Sequence, residues 1–499
     1  MVARDEILFE PNRFVLNNGQ ELAARAFFDH LLLTAAFVWA TAGRKRSATK
    51  LRPKYDYIVV GGGTSGSVVA SRLSEDPSVS VLVLEVGGST SEASHIPRMH
   101  FQLASHTTPL IREYLSEPQS QTCGRRSDGR CVMKVGNVIG GTASINAMMW
   151  VRGNRLDFDG WSNDFGLRNW SYTDLLPYFK KIEDNQEIHS DKYHDRGGPV
   201  KVTTKIWSGT QVLLQRFLNA AQELGLPIGD YNGKRQATFY PLQQSVYRGM
   251  RQSPDVTYIQ PAETRPNLDI VMFAKVTRIL LDSNLRTVGV EFYRDKKRHV
   301  VHVNREVILS AGAIVTPQIL MLSGIGPADH LRKRDVKPLV DLPGVGQNFH
   351  DHTRCEINYT TTLPFPKDGE ISQKSLDELR AYGTGVLSSN MAGEGHIRTR
   401  NSVTPDDVLG QLGLGYEVTE DAVTKERFFF IRAFAWSLKP RSRGYVGLRS
   451  ADPFDDPIID PRYLTEEFDR ENFYETLLGV MKTMQTRPFR GKIRLDLQQ

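Results

Sequence analysis

The chain has 499 residues, enough for two or three domains with cores of their own. Its 63 basic and 57 acidic residues leave a net charge of +6, and the basic residues are scattered rather than clustered. That excludes the concentrated positive face of a nucleic-acid binder, and the longest apolar run, Leu31 to Ala42, is too short to cross a bilayer.

Residues 1–51 read as an N-terminal tail. Leu31–Ala42 resembles the apolar centre of a signal peptide, with Ala40-Thr41-Ala42 fitting an A-x-A cleavage site and Arg44-Lys45-Arg46 as a linker beyond it. The acids in residues 1–30 depart from the short basic start of such leaders, which leaves an amphipathic helix or a misassigned start as the alternatives. Cys123 and Cys131 lie eight apart across a polar loop and are spaced for a small disulfide, while Cys355 reads as a small core residue. Asn169-Trp170-Ser171 and Asn358-Tyr359-Thr360 are glycosylation sequons. Together these features predict a secreted protein.

The chemistry is concentrated in Tyr55–Glu85. Tyr57 to Val60 has the β-branched character of a buried parallel strand. Gly61, Gly63 and Gly66 then form a G-x-G-x-x-G, and apolar residues at helical spacing follow until Asp76-Pro77. A second buried strand, Val79–Leu84, ends in Glu85, where an acid that holds a ribose is expected. Gly61 permits the tight turn, Gly63 lets backbone approach a pyrophosphate, and Gly66 lets helix and strand pack closely. The helix N-terminus, at Thr64 and Ser65, offers N–H groups to phosphate. The motif alone does not choose between NAD and FAD.

Residues 95–134 read as irregular, interrupted by Pro97, Pro109 and Pro118. Gly136–Gly153 pairs glycines with small and polar residues, as backbone held close to a flat or charged group would require. Helical patterns cover Tyr172–Ile182 and Trp207–Leu224, and strand patterns cover Leu268–Phe273, Arg278–Leu281, Val288–Tyr293 and Glu306–Ser310. The last of these runs through Ala311-Gly312-Ala313 into a helix from Pro317 to Leu322, a further close approach of backbone. Alternation in Phe428–Trp436 and Tyr445–Leu448 predicts an antiparallel sheet, and a helix follows over 469–486.

Four blocks together resemble the glucose–methanol–choline (GMC) oxidoreductase family: Tyr57–Glu85 with its Val86-Gly87-Gly88 ending, Gly136–Asp159, Gly312–Pro327, and Leu342–Asn348 with Asp351-His352. The two-cysteine loop is similar to that of arthropod, glucose dehydrogenase-like members. The resemblance implies FAD, an α/β Rossmann-like FAD-binding domain assembled from residues 52–165 and 235–345, and a substrate domain with an antiparallel sheet in 166–234 and 346–499. It implies Thr64 and Ser65 at the pyrophosphate, Glu85 at the adenosine ribose, and the backbone of Val276 at the adenine. Val138 and the run Asn146, Ala147, Met148 and Met149 would line the flavin; read without the resemblance, Met148, Met149 and Val276 are core residues. The reaction implied is hydride transfer from the CH–OH group of an alcohol or sugar to flavin N5, with quinone or oxygen as the electron acceptor.

Two departures stand out. Val135 and Asn137 occupy positions where the family's first signature carries basic residues. The family also places a catalytic histidine near its C-terminus, with a second histidine or asparagine, and nothing after Arg441–Gly444 resembles a His-Pro-x-Gly-Thr stretch. The expectation is a C-terminally truncated member, inactive as this chain; a non-catalytic flavin-binding paralogue is the alternative. A third reading, an NAD-dependent dehydrogenase, is opposed by the Gly312–Pro327 block, which is similar to the family's second signature. No catalytic base is assigned. His350 and His352 flank Asp351 in what reads as a structural loop, His189 and His194 lie in a polar segment expected to be exposed and unpartnered, and His95 and His100 fall in the irregular region.

Overall fold

Four parallel strands finish level with one another, and everything at the candidate site hangs from their ends. In this computed structural model, which describes residues 47–48, 50–100, 103, 108–124, 126–188, 191–205, 207–363, 371–389, 391–420 and 427–496, β1 is Lys54–Val60. A glycine turn leads into helix α1 (Thr64–Leu73) and then β2 (Val81–Leu84). A hairpin follows, β3 (Ile111–Pro118) and β4 (Arg130–Gly136). Much later come β5 (Leu268–Val271), β6 (Lys275–Leu281), β7 (Thr287–Arg294), β8 (Lys297–Leu309) and helix α2 (Gly312–Leu322). The signal-peptide reading of Leu31–Ala42, the Arg44–Arg46 linker and His189 lie outside the described residues.

The first sheet runs β5-β2-β1-β8-β7-β6. Pairing is parallel across its first half, with Val60 opposite both Leu84 and Leu309, and Val271 opposite Leu84. β8 is long enough to serve both halves: its start pairs antiparallel with β7, and its end runs parallel to β1. The core explains why β1 and β2 carry almost unbroken apolar runs. Ile58, Val60, Leu82 and Leu84 pack on one face, while Val59, Val81 and Val83 pack on the other with Ile139, Ile259 and Ile270. Both faces are therefore covered, as a parallel sheet requires. Burying each such side chain contributes roughly 1.5–3 kcal/mol, so a polar residue in either run would break the unit.

A second sheet of six strands is antiparallel throughout its main pairings, in the order Ile493–Leu495, Thr353–Thr361, Arg427–Ser437, Gly410–Glu420, Met391–Ile397, Phe239–Pro241. Phe239–Pro241, within residues 235–345, pairs at the edge of this second sheet. The helix Ser208–Glu223 and the helix Glu467–Gln485 pack against this sheet, around Phe217, Phe239, Leu412, Leu414, Ile431 and Val480.

The hairpin is a correction to the sequence reading of residues 95–134 as irregular. Pro109 precedes β3 and Pro118 is its last residue, so the prolines bound the strand instead of interrupting it. The expected disulfide closes the hairpin: Cys123 and Cys131 are bonded, with Cα atoms 5.2 Å apart. The helix expected to start at Pro317 begins earlier, at Gly312, and Pro317 sits inside it. Among the described residues no helix is long and apolar enough to cross a membrane.

Candidate cofactor and active site

Because the parallel strands end in register, the residues that follow them emerge side by side: Gly61 after β1, Glu85 after β2 and Ser310 after β8. This is the crevice outside the carboxyl ends of strands, at the point where the chain leaves β1 to opposite sides, that open α/β sheets use for ligands. Here it opens into a cavity of about 1290 Å³. That exceeds the usual 300–1,000 Å³ of a small-molecule pocket and has room for a dinucleotide.

Two helices point their N-termini into the cavity. Gly63 caps α1 and Ala311 caps α2, and neither helix end has a side-chain cap. Thr64 and Ser65 at the first, and Gly312, Ala313 and Ile314 at the second, line the cavity wall. Uncapped N–H groups and two positive dipole ends converging on one space suit a diphosphate. At two of the three motif glycines the turn has no room for a side chain. Gly61 has φ +95°, and a Cβ there would stand 2.6 Å from the Ser310 carbonyl oxygen; a Cβ on Gly66 would stand 1.9 Å from the Gly61 carbonyl oxygen.

Glu85 is buried, and its carboxylate accepts the N–H of Gly62 at 2.7 Å through Oε2 and that of Gly87 at 2.8 Å through Oε1. Burial pushes its carboxyl above the ordinary glutamate range, with the N–H bonds from Gly87 and Gly62 pulling the other way. The opposite wall is the hairpin, from Cys131 to Asn137, with Arg112 and Tyr114. Val135 and Asn137 are on that wall, and the cavity lining also includes Arg112, Lys134 and Lys275, cations the sequence reading overlooked. Arg112 pairs with Asp456 at 2.5 Å and Lys134 with Glu113 at 3.0 Å. Lys275 stacks its ammonium over Phe454 at 4.9 Å, next to Val276.

Of the residues singled out in the sequence, Gly61, Gly63, Thr64, Ser65, Glu85 and Val276 line the cavity. Gly66 lies behind the turn. Val138 is fully buried and bridges to Gly88. Asn146, Ala147, Met148 and Met149 are not on the described lining. Asn146 is exposed, and its Oδ1 accepts the Met148 N–H at 3.0 Å. Met148 is buried with φ +58°, an uncommon backbone conformation for a non-glycine residue, and Met149 packs against Leu242, Met391 and Phe434.

Arg251 holds that segment and was missed in the sequence. It is fully buried and donates from Nε to the Ser94 carbonyl at 2.7 Å, and from Nη1 to the Ala143 carbonyl at 3.1 Å and Asn146 Oδ1 at 2.8 Å. Burial pulls its guanidinium down to about 9, with Asp255 opposing. No local signal marks it, since its partners lie 105 to 157 residues away.

The histidines separate by position. His350 and Asp351 line the cavity; His350 Nδ1 lies 2.9 Å from the Asn348 carbonyl, and Asp351 accepts the Tyr463 hydroxyl at 2.9 Å. His194 corrects the sequence reading. It is fully buried, with Nδ1 2.7 Å from Glu183 and Nε2 2.7 Å from Asp230. Those partners lie in other elements of the chain, out of reach of a local reading. His95 and His100 are also buried, in and beside the short turns Glu92–His95 and Pro97–Met99. Among the described residues no cluster of His, Cys, Asp and Glu is arranged to hold a metal.

Residues 55–354 match the N-terminal part of the GMC oxidoreductase family and residues 440–496 its C-terminal part. The chain belongs to the GMC oxidoreductase family. It is 36% identical over 476 residues to a Drosophila melanogaster protein named glucose dehydrogenase [FAD, quinone], covering 91% of this chain and 74% of the relative. It is 37% identical over 447 residues to an oxygen-dependent choline dehydrogenase of Burkholderia lata, covering 86% and 76%. Among solved structures, pyridoxine 4-oxidase from Mesorbium loti aligns with TM-score 0.76 and 27% identity over 89% of this chain and 83% of that one. Formate oxidase aligns with TM-score 0.79 over 90% and 84%, at an identity of 23% that speaks to the fold alone. The family's α/β FAD-binding fold, with its mixed and antiparallel sheets, is thus the fold of this chain.

Proposed function

We propose that this GMC oxidoreductase binds FAD in the cavity at the strand ends and oxidises the CH–OH group of an alcohol or sugar, passing electrons on to quinone or oxygen. The observation that carries the reading is the convergence of two uncapped helix N-termini and a side-chain-free turn beside the buried Glu85 carboxylate. In this reading the N–H groups around Gly63, Thr64 and Ser65 hold the diphosphate. Glu85 uses its remaining lone pairs on the adenosine ribose, and the backbone of Val276 meets the adenine. Gly61 and Gly66 keep the turn tight. Val138, Asn146, Ala147, Met148 and Met149 bound the flavin ring, with Arg251 fixing Asn146 and the strained Met148 backbone supporting that role. When bound, the flavin supplies the hydride acceptor. The disulfide supports a secreted protein, since such bonds persist in oxidising compartments.

A second reading, a chain that holds flavin without turning over alcohol, is favoured by one feature. Among the described lining residues the one histidine is His350, and its Nδ1 is engaged by the Asn348 carbonyl. One experiment separates the readings. The purified chain is examined for flavin absorbance, the released cofactor is identified, and the holoprotein is mixed anaerobically with alcohols and sugars, glucose and choline among them. Bleaching of bound FAD by one of them supports the first reading. FAD that stays oxidised with every substrate supports the second, and a chain that neither carries nor takes up FAD overturns both.

A further inference from the structure

We propose that Asn169, and not Asn358, carries an N-linked glycan, and that this glycan covers an aromatic patch on the helical hairpin around it. Both asparagines sit in an N-x-S/T triplet, but the fold treats them differently. Asn358 is in mid-strand: its Cα partner is Arg432 on one side, its carbonyl accepts the Asp496 N–H at 2.9 Å on the other, and its Oδ1 is shut off from solvent. The side chain is only half-buried, but it stands on a strand paired on both sides and not on a turn, which makes it the poorer acceptor.

Asn169 is exposed on the turn between the helices Arg155–Asp164 and Tyr172–Ile182, with φ +64°. Asparagine tolerates that conformation better than most residues. The turn is also the centre of an unusual surface. The helix Arg155–Asp164 has no buried residue, although it carries Leu156, Phe158 and Trp161. Trp161 and Trp170 lie together, ring centroids 6.0 Å apart, and Phe165, at the end of the same helix, is 73% exposed. Exposed aromatic rings gathered at one turn are of the kind that something ordinarily covers. The acceptor asparagine stands at that turn, one residue before Trp170, so a sugar chain attached there can lay its C–H faces on the rings. The disulfide between Cys123 and Cys131 is the independent sign of the compartment where such attachment occurs.

The chemistry needs one co-reactant, a lipid-pyrophosphate-linked oligosaccharide. Nδ2 of Asn169 forms a bond to the anomeric carbon as that carbon's bond to the pyrophosphate oxygen breaks. The amide gives up a proton, the lipid pyrophosphate leaves, and nothing is oxidised or reduced. In the folded chain the Ser171 hydroxyl is occupied at the helix start, donating to Asp174 Oδ2 at 2.6 Å and accepting the Asp174 N–H at 3.3 Å. Transfer therefore precedes formation of that cap.

The test is the intact mass of the full chain, expressed from its own Met1 in a eukaryotic secretory host, before and after N-glycosidase. One glycan's mass is expected to be lost on digestion. Asn169→Asp, which keeps the shape at a positive φ, and Ser171→Ala are expected to abolish the loss. Ser171→Thr, which keeps both triplet and cap, retains it, as does Asn358→Asp. No loss in the wild type, loss persisting in Asn169→Asp, or loss missing in Asn358→Asp alone overturns the assignment. Native deglycosylation is expected to raise binding of an apolar fluorescent dye; unchanged binding overturns the covering role.

Discussion

Glu85 and Gly62, 23 residues apart, are joined by a buried hydrogen bond of 2.7 Å, from the glycine N–H to the carboxylate. This one contact ties the end of β2 to the turn after β1, so the residue that faces a ribose also shapes the loop that faces a diphosphate. Glu85→Gln keeps the size but turns an NH2 toward one of the two N–H donors. Leaving one buried donor unsatisfied costs about 1–3 kcal/mol. The pH dependence has a defined sign. Burial holds the folded-state pKa of Glu85 above its unfolded value, so the folded chain binds the extra proton, and Glu85's contribution falls as pH rises through that range. Chemical denaturation of both proteins from pH 4.5 upward is expected to show the wild-type advantage shrinking with pH; an advantage that grows would contradict the burial argument.

Two glycines of the same turn are expected to fail in different ways. A Cβ at Gly66 would meet the Gly61 carbonyl oxygen at 1.9 Å, and backbone cannot step aside. Gly66→Ala is thus an overpacking change, expected to cost roughly 1–3 kcal/mol and lower Tm with or without cofactor. At Gly63 φ is −70° and ψ −164°, which alanine adopts freely, and the nearest atom to a new Cβ is 3.8 Å away. Gly63→Ala should leave the stability of the cofactor-free chain within about 0.5 kcal/mol. Its methyl group stands at the cavity wall, so flavin content after purification is expected to fall. Equal effects of the two substitutions on Tm would remove the distinction.

How much of this was legible depends on how local each feature is. The glycine turn, Glu85 and the helix Tyr172–Ile182 are written in contiguous sequence, and the structure has that helix with the same bounds. The hairpin β3–β4 was not, because Pro109 and Pro118 read as breaks and only the paired strand shows that they are its limits. The hairpin's cavity-facing Arg112 and Lys134 were missed with it. Arg251 and His194 were invisible for another reason. Each is itself buried and is defined by partners outside its own local stretch, and a lone Arg or His in sequence carries no such information.

The hairpin matters to the site, since Cys131 lines the cavity and is held by the disulfide to Cys123. Closing a loop of this length stabilises by about 2–3 kcal/mol in the chain-entropy view. Reduction, or Cys123→Ser with Cys131→Ser, is expected to loosen this wall first. The readout is flavin release: the cofactor should dissociate faster from the reduced protein while far-UV circular dichroism is little changed. Identical release rates would show that the hairpin holds its place without the bond.

His194 gives the sharpest pH prediction. Its ring is fully buried, and burial alone would favour the neutral form. The hydrogen bonds to Asp230 and Glu183 outweigh that cost and raise its pKa to about 9, from a model-peptide value of 6.5. Glu183 is further committed to Arg152 and to Asn185, and Asp230 to Gln243, so neither carboxylate is free to relax when the imidazolium is lost. The folded pKa lies above the unfolded one, so the stabilisation is complete below about pH 6.5 and is lost as pH rises through 9. A shift of this size corresponds to about 3 kcal/mol. Denaturant midpoints are expected to fall across that window in the wild type. In His194→Gln they should start lower and stay nearly flat, because an amide can satisfy at most part of the cluster and cannot carry the charge. A His194→Gln protein with the wild-type slope would mean that the proton released over this window is held elsewhere.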